Sequence, residues 1–172
     1  MPIEHCTLDV LGPLLDLGDV PDQRLIDQAL ETASVLVDFA VAKAMANGAD
    51  ATIEEARTIT REMLAADVEH IQEVKGPPRL IRLFAQAADH LVLLLIMNGL
   101  RSQVVERLQA AGFPPRHDPQ ALRRIAVELD GALEARDAEQ IADIMKELLT
   151  LIRESVKRKF DDFEGEQQVA LT

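Results

Sequence analysis

The groups in this chain that could do chemistry are four histidines, 30 acidic side chains and a single cysteine, Cys6. His5, His70, His90 and His117 share no ligand-like spacing with one another. Asp67 and His70 stand one helical turn apart, but two donors do not complete a four-coordinate metal site. Each histidine therefore reads as a solvated surface group. The carboxylate pairs Glu54–Glu55, Glu128 with Asp130, and Asp161–Asp162 fall on polar helical faces or near the C-terminal end. General acid–base work needs carboxylates in a cleft with displaced pKa values, and this pattern offers none. There is no glycine-rich phosphate loop and no nucleophile elbow. The cations Arg153, Lys157, Arg158 and Lys159 are followed at once by Asp161–Asp162, which blunts a nucleic-acid patch. The chemistry points away from an enzyme, and no metal or cofactor is expected.

What positions these groups is helical. The chain has 172 residues, 48% of them hydrophobic, with five Phe and neither Trp nor Tyr. Core volume must come from Leu, Ile, Val, Ala and Met, a bias that favours helix over strand. The net charge of −12 repels phosphate backbones and anionic membranes. No direct nucleic-acid contact and no membrane are expected. Cys6 alone excludes an internal disulfide. Met1–His5 lacks the basic and apolar parts of a leader, so a cytoplasmic location is expected.

Along the chain, a short apolar piece over 7–17 is interrupted at Gly12-Pro13. A helix from the Gly18–Asp22 turn to about residue 46 carries Ile26, Ala29, Leu30, Ala33, Val37, Ala40 and Val41 at three- and four-residue steps. Asn47-Gly48 ends it. Thr52 with Glu55 predicts a capping box and a helix to about Gln72. Lys75-Gly76-Pro77-Pro78 breaks the pattern, and helices over 78–88 and 90–111 follow, jointed at Asp89-His90. Gly112-Phe113-Pro114-Pro115 is the next break. Asp118 with Pro119 opens a helix to about 135, and Asp137 with Gln140 caps the last, to about 162. The expectation is an antiparallel all-α bundle of six to seven helices over residues 1–163, with a frayed tail over 164–172.

The run Leu80–Leu100 is apolar on nearly every face, and such a helix is expected at the centre of the assembly, buried all round. There it either closes a core or lines a cavity for an apolar ligand. At 91–97 it falls short of the roughly 18 clean apolar residues that argue for a membrane span.

Three segments carry a resemblance. Phe84-Ala-Gln-Ala-Ala-Asp-His-Leu-Val-Leu-Leu-Leu-Ile-Met-Asn-Gly-Leu100 resembles a core segment of the C-terminal effector (FCD) domain of FadR-type regulators in the GntR superfamily. Glu128-Leu-Asp-Gly-Ala-Leu-Glu-Ala-Arg-Asp-Ala-Glu-Gln-Ile-Ala-Asp-Ile-Met145 is similar to that family's jointed helix pair. Leu25 to Ala46 is similar to its first long effector helix. The likeness spans about residues 8–160.

The resemblance implies a ligand-sensing, homodimeric domain of a transcription regulator. Many relatives hold a metal through one Asp and three His; here those slots fall on Pro77, Ile81, Ala126 and Leu148, all apolar. The family's Arg and Glu on the first effector helix fall near Ala33 and Val37. An interior stripped of donors favours an apolar effector, of the fatty-acid or acyl-CoA class. The implied pocket is Ala33, Val37, Ile81, Ala126 and Leu148, with Asn98 and Arg101 as polar contacts. The DNA-reading winged helix of such regulators is expected to be absent from this chain. The alternatives are a helical interaction or oligomerisation protein with a closed core, and a TetR-like ligand domain. The joint at Arg136-Asp137 and the position of Asn98 speak against the second.

Overall fold

A computed structural model of the chain describes residues 9, 11–15, 22–48, 50–112 and 117–170, with side chains as far as residue 162 except those of residues 12 and 14. His5, Cys6, most of the expected turn at 18–22 and the break at Phe113–Pro115 lie outside the described residues.

The architecture is an all-α bundle, with no strand among the described residues. Its helices are α1 (Leu11–Leu15), α2 (Gln23–Ala46), α3 (Asp50–Ala65), α4 (Gly76–Ala87), α5 (Leu91–Leu100), α6 (Glu106–Ala110), α7 (Pro119–Ala135) and α8 (Ala138–Ala170). A 3-10 segment, Val68–Val74, links α3 to α4, and a π segment, Arg101–Val105, joins α5 to α6. α2 packs most extensively on α8 and also meets α4 and α5; α3 packs on α7.

Local chemistry starts and stops most of these helices where expected. The Asp22 carboxylate accepts from the amides of Arg24 and Leu25, 2.9 and 3.2 Å away. Asp118 accepts from Ala121 N and Asp137 from Gln140 N, each at 3.0 Å. Each carboxylate satisfies amide donors that the first helical turn cannot. Asn47 ends α2, and Gly48 follows in the left-handed region, φ +87°, where a side chain is costly.

Four expectations are corrected. The capping box at Thr52–Glu55 does not form, because α3 already starts at Asp50 and Thr52 lies within its first turn. α3 stops at Ala65 rather than near Gln72: Arg123 on α7 donates to the carbonyls of Leu64 and Ala66, both at 3.2 Å. The 3-10 segment that follows buries Ile71 while His70 stays exposed. The helix expected over 90–111 contains the π segment, with Glu106 N donating to Arg101 O. α8 runs to Ala170 rather than ending near residue 162; the Glu-Gln-rich sequence there is compatible with helix.

Two packed cores result. The larger gathers α2, α3, α4, α7 and α8 around Phe84, Leu129, Leu133, Ile141 and Met145. The smaller gathers Leu15, Ile26, Leu30, Leu100, Val104, Leu108 and Phe160. Leu36 and Ile152 pack against both and join them. Burying each large side chain here contributes about 1.5–3 kcal/mol.

Candidate functional site

The interior positions expected to form a pocket come from four different helices. Val37 on α2, Ala126 on α7 and Leu148 on α8 are each 1% exposed and belong to the larger core, with Ile81 on α4 partly buried against it. Pro77, in the first turn of α4, is buried as well. Ala33 belongs elsewhere, packed against the smaller core. Asn98 and Arg101 are not brought to the interior set. Both are exposed, and Arg101 donates to Glu106 Oε1 at 2.6 Å.

The four slots at Pro77, Ile81, Ala126 and Leu148 supply no donor side chain. Pro, Ile, Ala and Leu offer no side-chain nitrogen, oxygen or sulfur to coordinate one. Among the described residues no three His, Cys, Asp or Glu side chains gather as a metal site requires. The chemistry available at this locus is apolar contact: Val37, Ala126 and Leu148 stand with Phe84 and Met145, both fully buried.

The apolar run at 91–100 is not buried all round. Leu93 and Leu100 face the cores, with Ile96 and Met97 partly buried beside them. Leu91, Val92 and Leu95 are 70, 59 and 60% exposed. The run has two apolar sides, and the fold uses only one. Val35 and Phe39 on α2 are exposed as well, so among the described residues five of the six exposed large hydrophobic side chains lie on these two helices.

His90 fixes the start of this face. Its Nδ1 accepts from Leu93 N at 3.1 Å and so N-caps α5. The ring also meets Phe39 edge to face, centroids 5.6 Å apart, which ties α5 to α2. Asp89, just before it, adopts the left-handed conformation, φ +47°, that reverses the chain between α4 and α5. Asn47 Nδ2 caps the end of α4 by donating to Ala88 O at 3.0 Å.

Sequence reasoning missed His117. It is half-buried rather than solvated, its Nδ1 finds no partner among the described residues, and burial pushes its pKa down. Its backbone carbonyl accepts from Gln72 Nε2 at 2.7 Å. No local signal marks this, because the 3-10 segment that partners it lies about 45 residues upstream.

Ion pairs lace the outer faces. Arg153 on α8 donates to both carboxylate oxygens of Asp27 on α2, and this hydrogen bonding holds the carboxyl below its ordinary range. Arg57 on α3 reaches Asp130 on α7 at 3.3 Å. Such surface pairs contribute little individually. No described helix is long and apolar enough to cross a membrane. Comparison of the chain with protein-family models, with curated proteins and with solved structures finds no match.

Proposed function

We propose that this chain is the effector-sensing and dimerisation domain of a FadR-type transcription regulator, acting by binding rather than by turnover. The carrying observation is a convergence. Val37, Ile81, Ala126 and Leu148 are 111 positions apart at the extremes (148 − 37) and sit on four helices, yet they meet in one apolar core. They are the positions that the resemblance marks as a ligand site. Their side chains fit an aliphatic effector, of the fatty-acid or acyl-CoA class, and give no purchase to a small carboxylate or a metal. An effector that binds one packing of α2, α4, α7 and α8 better than another biases the bundle, and a linked DNA reader feels that bias.

Thermal unfolding with a series of long-chain acyl-CoAs and free fatty acids tests this. A ligand at 100 times its dissociation constant adds about 2.7 kcal/mol of stability. No shift across the series overturns the effector reading. A second reading, a helical association protein with a closed core, draws on the near-complete burial of Val37, Ala126 and Leu148 and on the exposed apolar side of α5. It expects no ligand-dependent shift and a persistent oligomer.

A further inference from the structure

We infer that Asn47-Gly48, at the exposed end of α2, is a site of spontaneous covalent modification, and that loss of the Asn47 side-chain amide unlatches the turn between α4 and α5. This stands apart from the effector and association readings above. The chain has two asparagines, Asn47 and Asn98, and glycine follows both. That order favours ring closure, because a residue without Cβ leaves its amide nitrogen free to approach the preceding side chain. The Gly48 backbone nitrogen attacks Cγ of Asn47, the nitrogen–Cγ bond forms, the Cγ–Nδ2 bond breaks, and ammonia leaves with the proton of the Gly48 amide. Water then opens the cyclic imide. Opening at Cγ leaves an aspartyl residue at position 47; opening at the main-chain carbonyl carbon leaves an isoaspartyl residue, with the chain routed through Cγ.

Both asparagines are exposed, so the backbone decides between them. Ring closure requires the asparagine backbone to leave the helical well. Asn98 lies inside α5, where the Gly99 amide belongs to the helical ladder. Closure there means opening the helix against the buried Leu93 and Leu100. Asn47 is the C-cap of α2, its ψ of 6° already outside the helical well. Gly48 follows at φ +87°, with open space where a side chain would stand. Opening a helix end costs far less than opening its middle.

The fold also gives the modification a consequence. Asn47 Nδ2 donates to Ala88 O at 3.0 Å and lies 3.4 Å from Ala87 O. These carbonyls end α4, and the helix itself has no donors left for them. Conversion replaces the donor with a carboxylate, which only accepts. The C-terminal ends of α2 and α4 meet here, and both are negative poles of their helix dipoles. The new charge is therefore repelled by the carbonyls that the amide held. Ala88 leads directly into Asp89, at φ +47°, and into His90, whose ring caps α5. Loss of the tie loosens this chain reversal.

The test is prolonged incubation of the full chain at mildly alkaline pH, followed by peptide mapping with mass spectrometry and enzymatic labelling of isoaspartyl groups. Conversion is expected at Asn47 and is expected to be at least about 10-fold slower at Asn98, where the helix must open first. In the guanidinium-unfolded chain the two sites are expected to convert at similar rates, because both precede glycine. No conversion at Asn47 in the folded chain, or conversion at Asn98 that is as fast, overturns the inference. A preference for Asn47 that is just as large in the unfolded chain overturns the selection by the fold. Asn47→Asp reproduces one of the two products. Hydrogen exchange at the Asp89 and Leu93 amides, which bond to Gln86 O and to His90 Nδ1, is expected to be at least about 10-fold faster in this variant than in the wild type. Exchange no faster than in the wild type overturns the unlatching, whatever the rate of conversion.

Discussion

His117 and Gly76 show how much a single position can report about the packing around it. Burial favours the neutral His117 ring and lowers its pKa below the ordinary value of about 6.5. The unfolded chain therefore holds that proton more readily than the folded one. Stability is independent of this group above pH 7.5 or so, declines as pH falls below about 6.5, and levels off once the folded ring titrates. His117→Gln is expected to flatten that part of a urea-unfolding profile. A slope that persists assigns the effect to other groups; the Asp27 carboxyl, with its lowered pKa, loses its contribution only in the more acidic carboxylate range. Gly76 opens α4, and a Cβ added there would stand 2.1 Å from Met63 Sδ and 2.5 Å from Met63 Cγ. Met63 is 1% exposed, so it has little room to swing away. Gly76→Ala is expected to cost about 1–3 kcal/mol through overpacking. Combined with Met63→Ala the two costs should be less than additive, a coupling that denaturant titration of the double-mutant cycle reads directly.

At the level of the helix, the ends divide into those set locally and those set from afar. Asp22, Asp118 and Asp137 were legible in the sequence because each carboxylate caps amides two or three residues ahead. The amphipathic faces of α2 and α3 were legible for a similar reason: Ile26, Val37, Ile53 and Met63 recur at helical spacing, and all are buried. The end of α3 was not legible, since the groups that satisfy its last carbonyls belong to Arg123 on another helix. The two-sidedness of α5 was hidden for a different reason. Periodicity cannot tell a helix apolar all round and buried from one that keeps one apolar side for a second surface. Val37 was legible as an inward position of α2 from its spacing, whereas the places of Ala33, Asn98 and Arg101 depend on how the helices cross. The start of α5 gives a test at this scale. His90→Ala removes both the cap to Leu93 and the ring edge on Phe39, and is expected to cost about 1–2 kcal/mol. His90→Asn keeps an acceptor and is expected to recover roughly half of that. Equal losses in the two variants would assign the whole effect to the ring contact.

Across the whole molecule, the two cores share α2 and α8. Both long helices run through both clusters, and Leu36 and Ile152 touch each. A bundle built this way cannot lose one core without loosening the helices that frame the other. The ion pairs from α8 reinforce the link, since Arg153 meets Asp27 beside the smaller core and Lys146 meets Asp38 at 3.4 Å beside the larger. On the proposed effector reading this continuity matters. A ligand that repacks Val37 and Leu148 acts on the same helices that carry Ile26 and Phe160, so a change in one core reaches the other and the neighbouring α5 face by direct packing. The consequence is measurable as cooperativity. Phe160→Ala in the smaller core is expected to cost about 3–5 kcal/mol and Leu129→Ala in the larger about 2–5 kcal/mol. Far-UV circular dichroism and calorimetry should report one coincident transition for each variant. Two resolved transitions in Phe160→Ala, with α3 and α7 surviving to the wild-type midpoint, would mean that Leu36 and Ile152 do not couple the cores. The route from an interior effector to the α5 face would then have to run through α4 alone, past Ala88 and the left-handed turn at Asp89.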